Sequence, residues 1–454
     1  MTNANQSAGQ KRRAQSMRRW LTDYGMLGVL LILCLLFSVL TVAEQHPTGA
    51  DAAKALADSG LLNESSSREL LIIVQPTGDD SAFVQELRSL LKNRDGARVI
   101  LAGPSDVRAE LQKLADQGAV FGAIVTSFTY APVVNSIKSQ FPSLADAQTI
   151  VPPSRKWPTF LLADNIRNVA NQITVIAIIA IGMTMVIITA GIDLSVGSLV
   201  ALSAVCVAWL IGQMGGEGAS TSGMLLAGIG GIVACGVVGA FSGFMITRFR
   251  IPPFIATLAM MQVAAGTAYI ISQGKPIYQI PAGFIWLGRG LDPFFKIPIA
   301  VILMVILYII AHVVMSRTTL GRYIYAVGGN EEAARLAGIR VKRVLMFVYT
   351  LCGMLAGLGG VLMASQLKSG APTYGVTYEL YVIAAVVVGG TSLSGGEGRI
   401  LGTLIGALVI GVIQNGMNLT NVETYTQKVV LGLVILGAVL LDRLKQKRLR
   451  LSKS

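Results

Sequence analysis

Long apolar runs separated by short polar breaks dominate this chain, and their lengths indicate what they form. They fall roughly at residues 26–42, 173–190, 194–212, 224–247, 254–272, 297–315, 344–365, 380–390, 400–413 and 425–441. A helix that crosses a bilayer core needs about 20 predominantly apolar residues. The runs at 380–390 and 400–413 fall short of that and read as half-spans or a re-entrant pair, which needs protein or a cavity to bury the backbone. The expected fold is therefore an all-α polytopic membrane protein of about ten transmembrane helices with broken or re-entrant segments. Residues 44–157 interrupt it. There, short β-branched runs at 71–74, 99–101 and 120–125 alternate with helical spacing at Phe83, Val84, Leu87, Leu90 and Leu91, and at Val107, Leu111 and Leu114. Strand–helix–strand order implies a parallel sheet, hence a small α/β insertion domain. Ser105 is the expected N-cap of its second helix, and Gly118 the stop.

Composition and charge fix the class. The chain is 53% hydrophobic and 13% charged, about half the charge of a soluble protein. Residues 44–156 hold 11 basic and 13 acidic residues, a net of −2, whereas the rest holds 26 and 11, a net of +15, so the positive charge is confined to the apolar part. Its cations cluster at Lys11–Arg19, Arg248/Arg250, Arg317–Arg343 and Arg443–Lys453. Threading ten spans from a cytoplasmic N-terminus puts every cluster on the cytoplasmic side, as the positive-inside rule requires, and the insertion outside. A cleavable signal peptide is the alternative for 26–42, but an uncleaved span suits a chain whose remainder is also membrane-embedded. The expected organisation is a basic cytoplasmic segment 1–25, a first span 26–43, an extracytoplasmic insertion 44–157, a transmembrane domain 158–442 with a cytoplasmic loop 317–343, and a basic cytoplasmic tail 443–454. These patches are short and juxtamembrane, so no nucleic-acid partner is expected, and the contact they imply is with membrane lipid. Cys34, Cys206, Cys235 and Cys352 lie isolated in apolar runs, so no metal or redox site is expected.

Two stretches carry candidate chemistry. Between Ile173 and Ile211 the only charged residue is Asp193, in Gly191-Ile-Asp-Leu-Ser-Val-Gly-Ser198. An ionisable residue in a polar break between apolar runs marks a functional site by default. Asp193, with Ser195, either caps a helix beginning at Leu194 or contacts a transported solute; Gly191 and Gly197 let the chain leave helical geometry. Gly390-Thr-Ser-Leu-Ser-Gly-Gly396 echoes this turn on the same expected side, and repeated broken helices are a transporter device. The second stretch is 321–340. Asn330 can cap a short helix carrying Glu331 and Glu332 in its first turn, with Ala333, Ala334, Leu336 and Ala337 as an apolar face and Gly338 as its end. With Gly329 it makes a compact helix suited to docking another protein.

Four motifs carry a family resemblance. The Gly191–Ser198 turn, Arg250-Ile-Pro-Pro-Phe-Ile-Ala-Thr-Leu258, Gly328-Gly-Asn-Glu-Glu-Ala-Ala-Arg-Leu-Ala-Gly338 and Val388-Gly-Gly-Thr-Ser-Leu-Ser-Gly-Gly-Glu-Gly398 resemble, in order, the ribose/galactose-type sugar permeases of bacterial ABC importers. The resemblance covers about residues 24–43 and 158–445. It implies an integral subunit of the bacterial inner membrane that pairs with a second permease subunit, as homo- or heterodimer. It further implies solute delivery by an extracytoplasmic sugar-binding protein and drive from a separate cytoplasmic ABC ATPase docked at 329–338. The insertion departs from that pattern. Residues 111–125 resemble part of one lobe of a periplasmic sugar-binding protein, or else belong to a generic α/β module.

Leu393-Ser-Gly-Gly-Glu397 mimics an ATPase signature, but the chain has no G-x-x-x-x-G-K-[ST] loop. Neither enzymatic activity nor a cofactor of its own is expected, ATP being used by the partner. Uncharged polar residues inside the runs are natural partners for sugar hydroxyls: Gln262, Gln366 and Asn415 together with Asp193 and Ser195, and further Thr257 and Gln414. Interhelical hydrogen bonding is their alternative role. The functional expectation is a permease subunit for a monosaccharide or similar small polar solute. The alternative is an ion-coupled secondary transporter, which should place more acids within its spans. A sensory or scaffold protein built around the insertion would not need ten spans.

Overall fold

A computed structural model describes residues 25–64, 70–91, 97–117, 121–145 and 147–451, so residues 1–24 and Gly118 lie outside the described residues. The chain divides into two compact units, one comprising residues 1–41 and 160–454 and the other residues 42–159.

Helix α1 (Gly25–Leu40) belongs to the larger unit. The smaller unit then runs β1 (Val42–Gln45), α2 (Gly49–Asp58), α3 (Leu61–Glu64), β2 (Leu70–Val74), α4 (Gly78–Leu90), β3 (Ala97–Leu101), α5 (Pro104–Asp116), β4 (Ala123–Val125), α6 (Ala131–Lys138), α7 (Pro142–Ala145), β5 (Gln148–Ile150) and β6 (Arg155–Pro158). Strands β1 and β6 pair antiparallel where the chain enters and leaves. The other four form a parallel sheet ordered β3-β2-β4-β5. Every residue of β2 is buried because helices cover both faces. Ile72 and Val74 pack with α2 and α4, Leu71 and Ile73 with α5 and α6. The N-cap of α5 is Gly103, not Ser105. Pro104 takes the first helical position, where its missing N–H costs nothing.

The larger unit continues with α8 (Ala163–Ile188), α9 (Val196–Gln213), α10 (Thr221–Phe249), α11 (Pro253–Ser272), α12 (Trp286–Arg289), α13 (Ile299–Arg317), α14 (Thr319–Gly329), α15 (Glu331–Leu336), α16 (Val341–Leu367), α17 (Tyr378–Val388), α18 (Ile400–Leu419) and α19 (Thr424–Leu451). Seven of the described helices (α8 to α11, α13, α16 and α18) are long and apolar enough to cross a membrane. Three shorter apolar helices accompany them: α1, α17 and the 424–440 part of α19. The expected half-span at 400–413 is thus a full helix of 20 residues. Polar Gln414 and Asn415 follow that run, but Asn415 exchanges two hydrogen bonds with Asn165 of α8, so it is satisfied and the helix continues. Helix α8 is the hub, buried along its apolar length and packed on α13, α16, α17 and α18. Its neighbour α16 also packs on α10, where Gly239 faces Gly353 so closely that a Cβ on either would strike backbone.

Candidate functional site: a re-entrant turn and the hairpin that grips it

Helix α8 ends in a double-bonded cap. Gly191 N–H donates to Val186 O and Ala190 N–H to Ile187 O, a Schellman pattern with Ala190 left-handed at φ 62°. The chain then turns back into the unit. Asp193 lies beside Cys352, and Cys352 packs against Gly182. Gly182 stands six residues before Ile188, so the carboxylate is about 9 Å back along α8 from its end. Helix α9 starts there, at Val196. Asp193 Oδ1 accepts hydrogen bonds from Ser195 N at 2.9 Å and Ser195 Oγ at 2.6 Å. The helix expected from Leu194 therefore begins two residues later, with Asp193 holding the turn that precedes it. Asp193 and Ser195 are fully buried, and Asp193 Oδ2 has no hydrogen-bond partner among the described residues.

Thr257 of α11 clamps this turn. Its hydroxyl donates within reach of Ile192 O at 3.2 Å and accepts from Leu194 N at 3.1 Å. Gly191 is obligatory for space, since a Cβ there would sit 2.2 Å from the Tyr349 hydroxyl. Gly197 is equally tight: a Cβ would meet Glu379 Oε2 at 2.3 Å and Gly375 O at 2.5 Å.

That second contact reveals the counterpart of the turn. The non-helical segment between α16 and α17 packs Gly370 on Ala204 and Gly375 on Gly197, running back along α9 by about 10 Å. Helix α17 therefore also begins inside the unit, its first turn against that of α9. Two non-helical segments enter from opposite ends and each leads into a helix starting at depth, the inverted arrangement of broken helices found in transporters. The sequence echo at 390–396 is not this counterpart.

Residues 390–398 pack on the end of α8 instead. Gly396 N–H donates to Ile188 O at 2.8 Å, and Gly395 abuts Ala190. The same end receives α14. A Cβ on Gly328 would lie 1.6 Å from Ile188 O and 2.8 Å from Gly396 N, and Tyr325 Oη donates to Gly398 O at 2.8 Å. Burial pushes the Tyr325 phenol up, with Arg399 opposing, which keeps it a donor. Three motifs far apart in the chain thus meet backbone to backbone. Helix α15 hangs from this junction. Asn330 Oδ1 caps it by accepting from Ala333 N at 2.9 Å, and Glu331 pairs with Arg335 at 2.9 Å. Ala334 turns inward, while Glu332, Ala333 and Leu336 are exposed, Leu336 by 86%. Gly329 has open space around it, and Gly338 ends the helix at φ 83°.

The remaining candidates are dispersed. Gln366 Nε2 donates to Asn171 O at 3.3 Å, Asn415 is engaged with Asn165, and Gln262 is exposed midway along α11. The sequence reading overlooked Tyr349, Tyr325, Gly375 and the proximity of Glu379 to Gly197, and took Cys352 only as an isolated apolar thiol rather than a neighbour of Asp193. Only the isolated tyrosine in the aliphatic run of α16 offered a signal.

Residues 165–439 match the family described as branched-chain amino acid transport system / permease component, and the chain belongs to it. The smaller unit, residues 42–159, lies outside that match. Within this family the chain is similar to sugar permeases. It is 48% identical over 292 residues to the ribose import permease protein RbsC of Bacillus subtilis (strain 168), covering 63% of this chain and 87% of that one. It is 39% identical over 293 residues to the L-arabinose transport system permease protein AraH of Escherichia coli (strain K12), covering 64% and 87%. With the D-allose transport system permease protein AlsC of the same strain it shares 38% over 288 residues, covering 63% and 86%. The resemblance to ribose/galactose-type sugar permeases of ABC importers is thereby shown, and with it a multi-pass membrane protein of sugar transport. No solved structure matches the chain.

Proposed function

We propose that this chain is the membrane-spanning subunit of an ATP-driven importer for a pentose or hexose, the solute class that its relatives' names carry. A separate ABC ATPase docks on α15 from the cytoplasm. The observation that carries this reading is the junction of Ile188, Gly328 and Gly396, where backbone touches backbone. Such a contact has no soft side chain to absorb displacement, so movement of α15 is handed to the end of α8 and to the turn holding Asp193.

Ten crossings complete the reading: the seven long helices, α1, α19, and α17 extended by the segment before it. Both termini are then cytoplasmic, the membrane is the bacterial inner membrane, and the smaller unit is an extracytoplasmic insertion that receives or orients a sugar-binding protein. Helices α10, α11 and α13 are at most about a third buried, leaving faces for lipid and for a second permease subunit, identical or related. Gln262, exposed on α11, is the polar side chain best placed to meet solute in that subunit interface. Asp193 and Ser195 shape the turn. The chain itself uses no cofactor.

The test is affinity purification of the full chain from native membranes after mild crosslinking, with mass spectrometry of what accompanies it. A stoichiometric partner with Walker motifs, crosslinked to α15, is expected. Absence of any such partner would overturn the reading in favour of ion-coupled transport.

A further inference from the structure

A cleft of about 980 Å³ opens beside the α14–α15 hairpin, between the α10–α11 turn and the start of α16. Arg250, Arg340, Lys342 and Arg343 line it, and none of the four forms an ion pair among the described residues. Glu331 and Glu332 line it too, but Glu331 is taken by Arg335. The first turns of α11 and α16 also face the cleft. Helix N-termini carry partial positive charge and normally place acids there. Neither of these does, and α16 instead carries Lys342 and Arg343 in its first turn. These exposed cations and the two helix ends make one positive surface, to which an anion seated among the charges would be drawn. In the cleft wall Tyr349 is fully buried and its hydroxyl has no partner among the described residues. A neutral sugar gains nothing from such a field. The positive-inside rule asks only that cations lie in the loop, not that they converge on two helix N-termini around one cleft.

We infer that this cleft binds a phosphate group, held by Arg250, Arg340, Lys342 and Arg343 over the first turn of α16. The group is either a free phosphate species or the phosphodiester of an anionic lipid headgroup. The two sources present the same oxygens to the same cations, and basic pockets between membrane helices accept lipid headgroups. The assignment goes beyond the transport reading and does not depend on it.

The test is the rate at which an amine-acetylating reagent modifies Lys342 in the purified full chain, read by mass spectrometry, with Lys368 as internal control. Inorganic phosphate in neutral detergent, or phosphatidylglycerol nanodiscs compared with phosphatidylcholine nanodiscs, is the probe. Nine-tenths occupancy slows Lys342 about tenfold and leaves Lys368 unchanged. Protection by inorganic phosphate identifies the free species; protection by phosphatidylglycerol alone identifies the lipid. Either protection should vanish in R250Q/R343Q, and in R343Q alone should the double variant fold poorly. Three results would overturn the site: no protection by either probe, undiminished protection in the variants, or protection only on adding the ATPase, since the cations would then serve protein docking.

Discussion

Gly328→Ala isolates the mechanical claim. The added methyl would lie 1.6 Å from Ile188 O, whereas a carbon–oxygen contact needs about 3.3 Å, so one backbone must move by about 1.7 Å. No side chain can yield in its place, because the neighbours are the Ile188 carbonyl and the Gly396 amide. A shift of that size breaks the 2.8 Å bond between Gly396 N and Ile188 O and strains the 2.8 Å bond from Tyr325 to Gly398 O. Each broken bond that leaves a buried group unpaired costs about 1–3 kcal/mol, and overpacking adds about 1–3 kcal/mol. A junction penalty of roughly 3 kcal/mol corresponds to about a 100-fold change in the population of the packed state. Gly329→Ala is the matched control, since nothing lies within 4 Å of its added methyl. With the chain reconstituted alongside its ATPase, labelled-sugar uptake should collapse in Gly328→Ala while its membrane level and monodispersity persist. Uptake in Gly329→Ala should stay near the parent value. Equal uptake in the two variants would refute a rigid junction between hairpin and turn.

Further outcomes follow from the same contacts. Thr257→Val leaves the Leu194 N–H unpaired in the interior and should cost about 1–3 kcal/mol in detergent thermal unfolding, with Thr257→Ser close to the parent. Asp193→Asn keeps an acceptor for the Ser195 N–H and should retain uptake, whereas Asp193→Ala should lose it; an inactive, well-folded Asn variant would show that the charge itself is needed. Gly338 is left-handed in open space, so Gly338→Ala should weaken the end of α15 by about 1–2 kcal/mol and reduce ATPase crosslinking, an effect absent if α15 is not the dock. Reversing the first-turn charge with E331K/E332K opposes the helix dipole and breaks the pair to Arg335, and should uncouple ATP hydrolysis from uptake without removing the chain from the membrane.

The sequence alone determined what local chemistry decides. Runs of apolar residues at bilayer length define membrane helices wherever they occur, and glycines with a lone aspartate define a turn, so the Gly191–Gly197 stretch and the Asn330 cap could be read from their own neighbours. What the tertiary structure decided are contacts with no local signature. Polar residues seemed to end a span at 413, but Asn415 is satisfied by Asn165, 250 positions away, and α18 runs on to Leu419. The likeness between 191–197 and 390–396 invited the reading of a repeated break. The glycines of the two stretches answer different neighbours, the Tyr349 hydroxyl and Glu379 with Gly375 in the first, the backbone of Gly328 and Gly329 in the second, while the structural counterpart of the first turn is the dissimilar segment ending at Thr377. Tyr349 had no local signature until folding set it against Gly191, and Thr257, a candidate for solute contact or interhelical bonding, holds the turn at Ile192 and Leu194. Periodicity reports which face of a helix is buried, but not which helix will bury it; that depends on packing all the helices at once around α8.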